Sequence, residues 1–136
     1  NNAGYGIAGS VLDTDEQAWD DLFGVNVRGV FLCSRSAIPV MRKQGGGVIV
    51  NTASAVASMG IRNRAAYVAS KGAVAALTRA IALDHAADGI RCKVAGDYLA
   101  AGFGDLQGMR PEVWVHKDDV ERATAFVIRR SLRGGG

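Results

Sequence analysis

Val48-Ile49-Val50-Asn51-Thr52-Ala53, set between the triplet Gly45-Gly46-Gly47 and Ser54, is the stretch on which the fold turns. Its short β-branched run follows a glycine break, the pattern of a buried strand. A helical pattern precedes it. Thr14-Asp15-Glu16-Gln17 fits a capping box, in which the threonine hydroxyl accepts from a first-turn amide and the glutamine reaches back. From there Trp19, Leu22, Phe23, Val30, Phe31 and Ile38 recur at mostly helical intervals, predicting a helix within Asp13 to Arg42. Gly24, Val25, Val27 and Gly29 loosen the pattern near its middle, and Pro39 removes one amide and should bend its last turns.

Downstream of the strand, the alanine-rich segment from Ala66 to about Ala87 carries Val68, Val74, Leu77, Ile81 and Leu83 and predicts a second long helix. Gly89 ends it, and Ile90-Arg91-Cys92-Lys93-Val94-Ala95 predicts a second strand. Helix, strand, helix, strand in this order implies parallel pairing. The expected fold is α/β, a doubly wound parallel sheet of Rossmann-like type, truncated in its N-terminal half. One partial domain is expected over residues 1–136, in two parts: 1–95, which carries the candidate chemistry, and a divergent C-terminal segment, 96–136. A glycine-rich irregular segment follows from Gly96 to Gly108, and a helix is expected within Pro111 to Leu132. There is no internal repeat and no heptad pattern.

Composition excludes several classes. With 136 residues, 49% hydrophobic and 21% charged, the chain can build one packed core and is neither disordered nor fibrous. Sixteen basic against thirteen acidic residues is a mild excess, part of it at Arg129, Arg130 and Arg133. No aromatic residues interleave with the basic ones, so nucleic acid is not an expected partner. Charges interrupt every apolar run, so no membrane span is expected. Without a basic-then-apolar leader, and with Cys33 and Cys92 outside any paired or metal-ligand spacing, the location expected is cytoplasmic. No metal is expected, because the acidic residues Asp13, Asp15, Asp20 and Asp21 are explained by a helix start. His85 and His116 have no partner at useful spacing, and Trp19 and Trp114 read as packing residues.

Tyr67-Val68-Ala69-Ser70-Lys71 carries the chemistry. Its tyrosine and lysine stand four residues apart, on one face of the expected helix. A phenol is a weak acid with an ordinary pKa of about 10. A neighbouring ammonium favours the phenolate and brings such a group toward efficient proton exchange. Ser54 ends the strand, where ligands bind in open α/β sheets, and its hydroxyl can donate to a substrate oxygen. Taken alone, Tyr67 and Lys71 could be an exposed helical pair, and Asn26 a locally bonded polar residue.

Four features in order bear a resemblance: Asn1-Asn2-Ala3-Gly4, the Asn26-Val27-Arg28-Gly29-Val30-Phe31 segment, Ser54, and Tyr67-xxx-Lys71, with Ser54 thirteen residues before the tyrosine. On these the chain resembles the classical short-chain dehydrogenase/reductase family, over Asn1 to about Cys92. The resemblance implies an oxidoreductase that passes a hydride between a nicotinamide dinucleotide, NAD or NADP, and an alcohol or carbonyl substrate. Tyr67 would be the general acid/base and Ser54 would hold and polarise the substrate oxygen. Lys71 would assist Tyr67 and bind the nicotinamide ribose, and Asn26 would hold a relay water. Asn1, Ala3 and Gly4 would lie near the adenosine side of the cofactor and support the sheet. A homo-oligomer, tetramer or dimer, would form through the two long helices.

The family's glycine-rich cofactor turn would precede Asn1, and Lys93-Val94-Ala95-Gly96-Asp97 lacks the Pro-Gly that usually follows the later strand. These departures leave open a noncatalytic fragment that acts as an assembly module. The extended relatives acting on nucleotide sugars share Tyr-xxx-Lys, but the Asn-Asn-Ala-Gly start and the serine spacing favour the classical group. Met59, Ile61, Arg62 and Asn63 either edge a substrate pocket or form an exposed loop.

Overall fold

The computed structural model describes residues 1–96, so the helix expected within Pro111 to Leu132 and the irregular segment after Gly96 lie outside the described residues. Two strands, β1 (Gly47–Thr52) and β2 (Ile90–Ala95), pair in parallel with Gly47 opposite Ile90 and Thr52 opposite Ala95. Three helices accompany them: α1 (Glu16–Phe23), α2 (Gly29–Lys43) and α3 (Ala65–Asp84), the last forming the crossover between the strands. A parallel pair needs such a crossover, because a tight hairpin returns the chain in the opposite sense.

Asn1 extends the sheet on the other edge of β1. Its amino group donates to Val50 O at 2.7 Å and its carbonyl accepts from Thr52 N at 2.9 Å, the parallel pattern for a residue opposite Asn51. The Asn1 side chain repeats the link, donating to Asn51 Oδ1 at 2.7 Å.

The core lies between one sheet face and α2 and α3. Ile38, Ile49, Ile81 and Ile90 form one cluster and Val30, Ala53, Val74, Ala75 and Val94 another, each drawing on α2, α3 and the strands. β1 was expected to be buried throughout, yet Ile49 and Asn51 are buried while Val48 is 39% exposed. The difference is geometric: successive strand side chains alternate, and among the described residues the helices of the two clusters cover the face carrying Ile49.

Two local expectations resolve differently. Thr14 does not cap α1; Asp15 does, accepting from Ala18 N at 2.7 Å, while the Thr14 hydroxyl donates to Ser10 O. The capping role falls to the residue whose backbone is extended immediately before the helix. The loosened middle of the first long helix becomes a π-helical turn, Gly24–Arg28, where Gly29 N donates to Gly24 O. Pro39 lies within α2, and α2 continues past it to Lys43.

Gly46 marks the tightest point of the turn into β1. Its φ is +138°, and a Cβ there would stand 2.7 Å from Gly89 O, a backbone atom with little freedom to withdraw. Gly46→Ala is expected to lower unfolding stability by about 2–4 kcal/mol. Urea unfolding tests this, and a loss under 1 kcal/mol would refute the close approach.

The far ends of α2 and α3 are tied by Asp88, which accepts from His85 Nδ1 at 3.0 Å and from Arg42 Nε at 2.6 Å. These hydrogen bonds, from His85 first and Arg42 second, hold the Asp88 carboxyl below its ordinary value of 3.8. A lowered folded-state value stabilises the fold above the ordinary value, and the effect is lost as pH falls through the lowered one. Wild-type protein should therefore melt above Asp88→Asn at neutral pH, with the gap closing in acid below 3.8. Melting curves against pH check this, and a gap that widens in acid would contradict it.

Candidate active site

α3 sets the reacting side chains by its period. Tyr67 and Lys71 lie on successive turns of one face, and the Lys71 ammonium stands 5.8 Å from the centroid of the Tyr67 ring. Lys71 is 6% exposed and donates to Thr52 O at 3.0 Å, so the end of β1 fixes the position of its charge. Tyr67 is half-buried. Both line an open cleft of about 590 Å³ with Asn2, Gly4, Tyr5, Gly6, Thr52, Ala53, Ile61 and Arg64.

Asn26 sits in the π-helical turn and is 1% exposed. Its Oδ1 accepts from Tyr5 N at 3.0 Å, and its Nδ2 donates to Tyr5 O at 2.8 Å and to Ser70 Oγ at 3.0 Å. The Ser70 hydroxyl donates onward to Tyr67 O at 2.8 Å. Asn26 thus joins three parts of the site: the segment after Asn1, the turn between α1 and α2, and the first turn of α3. Its side-chain amide bonds protein groups on both its atoms, so a relay water on Asn26 would fall to its backbone.

The segment Asn1 to Gly9 forms the facing wall. The wall approaches the site closely at two glycines: a Cβ at Gly4 would lie 3.0 Å from Asn26 Oδ1 and 3.4 Å from Lys71 Nζ, and one at Gly6 would lie 3.1 Å from Tyr67 Cδ2. The wall is held to the start of α3 by Gly9, whose N donates to Asn63 O at 2.9 Å and whose O accepts from Ala65 N at 3.2 Å.

Of the residues singled out from sequence, Gly4, Ile61, Tyr67 and Lys71 line the cleft and Asn26 stands behind Gly4, while Met59, Arg62 and Asn63 are not among the lining residues. Asn1 extends the sheet edge, in keeping with its expected support of the sheet, and Ala3 is exposed. Ser54 follows Ala53 but does not line the cleft; its 8% exposed side chain caps a short 3-10 turn, accepting from Val56 N at 3.5 Å. Sequence reasoning missed Ser70, Gly6 and Arg64. Ser70 carried a signal, a hydroxyl inside an alanine-rich helix beside Lys71, whereas Gly6 and Arg64 join the site only through the fold.

The cleft suits the ribose and nicotinamide end of a dinucleotide. Its volume is that of a small-molecule site, Lys71 and Tyr67 supply polar hydrogens, and the bare backbone at Gly4 and Gly6 admits a ligand near them. Among the described residues no group of histidine, cysteine and carboxylate side chains could hold a metal, and no helix is long and apolar enough to cross a membrane.

The profile of the short chain dehydrogenase family matches residues 1–98, and the chain belongs to that family. Among its relatives, meso-2,3-butanediol dehydrogenase of Serratia marcescens is 50% identical over 91 residues, covering 67% of this chain and 36% of that protein. Dehydrogenase/reductase SDR family member 6 of Rattus norvegicus is 34% identical over 131 residues, covering 96% of this chain and 52% of that protein. A solved structure described as an NAD(P)-dependent gluconate 5-dehydrogenase from Beutenbergia cavernae, with bound NADP, aligns with a TM-score of 0.68. It is 36% identical and covers 70% of this chain and 38% of that one. The chain thus spans about a third to a half of the length of these proteins.

Proposed function

We propose that the protein carrying this chain is a nicotinamide-dependent oxidoreductase that interconverts an alcohol and a carbonyl, with NAD or NADP as cofactor. The observation that carries the reading is Lys71, anchored on Thr52 O, beside the Tyr67 ring in an open cleft. When bound, the dinucleotide supplies the acceptor or donor of the hydride.

In the oxidative direction the Tyr67 oxygen takes the proton of the substrate hydroxyl; in the reductive direction it returns a proton to the carbonyl oxygen. Lys71 steadies the phenol oxygen by its charge while the proton is away and offers its ammonium to the ribose. Asn26 keeps the first turn of α3 against the Asn1–Gly9 wall, and its backbone is the place for a relay water. Ser54, which directly follows the cleft residue Ala53, holds the substrate oxygen, while Asn1, Ala3 and Gly4 serve the cofactor side.

Residues 1–136 are read as one partial Rossmann-like domain of a cytoplasmic homo-oligomer. Exposed Val25, Phe31, Leu32 and Val40 along the α1–α2 rod support assembly through the long helices. Steady-state assays of secondary alcohols with NAD and NADP, followed by absorbance of the reduced nicotinamide, test the reading. Absence of turnover with every alcohol and both cofactors, in protein that binds neither, would overturn it.

A further inference from the structure

Asn51 is fully buried near the end of β1, and both polar atoms of its side chain are engaged. Its Oδ1 accepts from Asn1 Nδ2 at 2.7 Å, and its Nδ2 donates to Thr78 Oγ1 at 2.9 Å and stands 3.5 Å from Cys92 Sγ. The buried Thr78 hydroxyl donates to Val74 O at 2.7 Å, so toward Asn51 it can only accept. The orientation of the Asn51 amide is thereby fixed. One side chain ties the Asn1 edge, β2 and α3 together.

This tie crosses an interface that is otherwise apolar. Around it α3 meets the strands through Val74, Ala75 and Ile81, set against Ile49, Ile90 and Val94. Apolar burial is non-directional and does not by itself choose among neighbouring registers of a helix on a sheet. A hydrogen bond between two buried side chains does choose, because it has a narrow geometry and a buried donor left unpaired is costly. Thr78 lies seven residues beyond Lys71, two turns on along the same face of α3, and Asn51 directly precedes Thr52, whose carbonyl accepts from Lys71 Nζ at 3.0 Å. One helix face and one strand end are thus joined twice, by the Lys71 ammonium and by a pair that does not line the cleft.

Resting on the oxidoreductase reading above, we propose that Asn51 is a positioning residue: through Thr78 it sets the register of α3 on β1 and so holds the Lys71 ammonium on Thr52 O beside the Tyr67 ring. Its bond from Asn1 brings the facing wall to the same node, since that wall passes close to Lys71 at Gly4.

The test uses the protein that carries this chain. Thr78→Val keeps the shape and removes the acceptor, leaving Asn51 Nδ2 a buried donor with only the Cys92 sulfur near it. Asn51→Leu combined with Thr78→Val removes both partners, a change that is close to neutral for a buried pair, so the double variant should melt near wild type. Its kcat should fall on the order of tenfold and its cofactor KM rise in like measure, with the alcohol KM within about twofold of wild type. Acetylation of Lys71 by acetic anhydride without cofactor, read by mass spectrometry against exposed Lys43, gives a measure independent of turnover. In the double variant it should rise on the order of tenfold over wild type. Thr78→Ser, which keeps the hydroxyl, should stay within about twofold of wild type on every measure.

Unchanged acetylation of Lys71 in the folded double variant overturns the proposal and leaves the oxidoreductase reading standing. So does a Thr78→Ser variant as impaired as Thr78→Val, which would place the effect in packing and not in the bond. A fall in kcat that follows the melting temperature, with cofactor KM unchanged, also overturns it, being the mark of a merely structural role. Raised acetylation of Lys71 in the double variant, in a protein that turns over no alcohol, supports the tie and counts against that reading.

Discussion

Tyr67→Phe is expected to lower kcat of the protein carrying this chain by on the order of 10²–10⁴-fold, the range for removal of a positioned acid/base. The substitution takes away one oxygen and keeps the ring, which packs where a Cβ on Gly6 would stand 3.1 Å from Cδ2. The hydroxyl is hydrogen-bonded to no described residue, and the bond that ties this turn of α3 to Ser70 uses the Tyr67 backbone. Stability and cofactor affinity should therefore stay close to wild type, within about 1 kcal/mol. Turnover, melting temperature and cofactor titration on the same preparation separate the two effects. If kcat falls less than tenfold, Tyr67 is not the proton-transfer group.

Asn26→Asp should have the largest effect on stability, about 3–5 kcal/mol at neutral pH. The replacement has nearly the same shape, so packing is retained and the loss reports on hydrogen bonding. Asn26 Nδ2 donates to Tyr5 O and Ser70 Oγ. A carboxylate there faces the Tyr5 carbonyl with no proton to offer and is buried at a site only 1% exposed.

Burial and the loss of the donor raise the introduced carboxyl's folded value above its unfolded value of about 3.9. The folded state then holds the proton more tightly, so the variant is most stable below the unfolded value. Its stability falls as pH rises through the folded one. Denaturant unfolding across pH tests both the size and the sign. A deficit below 1 kcal/mol at neutral pH, or one that grows toward acid, would show that the Tyr5 and Ser70 bonds do not hold the site together.

Both variants act on a region that was partly legible in the sequence. The strand after the glycine triplet, the two helices around it and the second strand follow from period and glycine placement, and each is present: β1 at Gly47–Thr52, α2 ending at Lys43, α3 at Ala65–Asp84 and β2 at Ile90–Ala95. The irregular middle of the first long helix was legible too, because Gly24 and Gly29 carry little helical preference, and the π-helical turn lies there. The capping residue was misread by one position. Thr14 and Asp15 are both capping types, and the choice between them depends on the bend after Ser10, where Asp13 accepts from the Ser10 amide.

The site divides in the same way. Tyr67 and Lys71 are four residues apart on a helix, so their neighbourhood follows from the helical repeat alone. That Ser70 would join Asn26 to the Tyr67 backbone needed the π-helical turn packed against α3, a contact between residues 44 apart in the chain. Gly6 and Arg64 are further from reach still, since nothing local to either residue announces a cleft.

By itself the sequence determined the parallel α/β class and the stripe of Tyr67 and Lys71, which rest on periodicity and spacing, properties of the chain as a line. Its resemblance to the short-chain dehydrogenase/reductase family was legible too, and the match over residues 1–98 bears it out. Only the tertiary structure decided that Lys71 is pinned by Thr52 O, that Asn26 spends its amide on Tyr5 and Ser70, and that Arg64 lines the cleft beside Tyr67. The reason is that hydrogen-bond partners and local charge are set by which distant segments meet, and Gly9 against Asn63 and Ala65, or Asn1 against β1, meet only once the sheet and helices have packed.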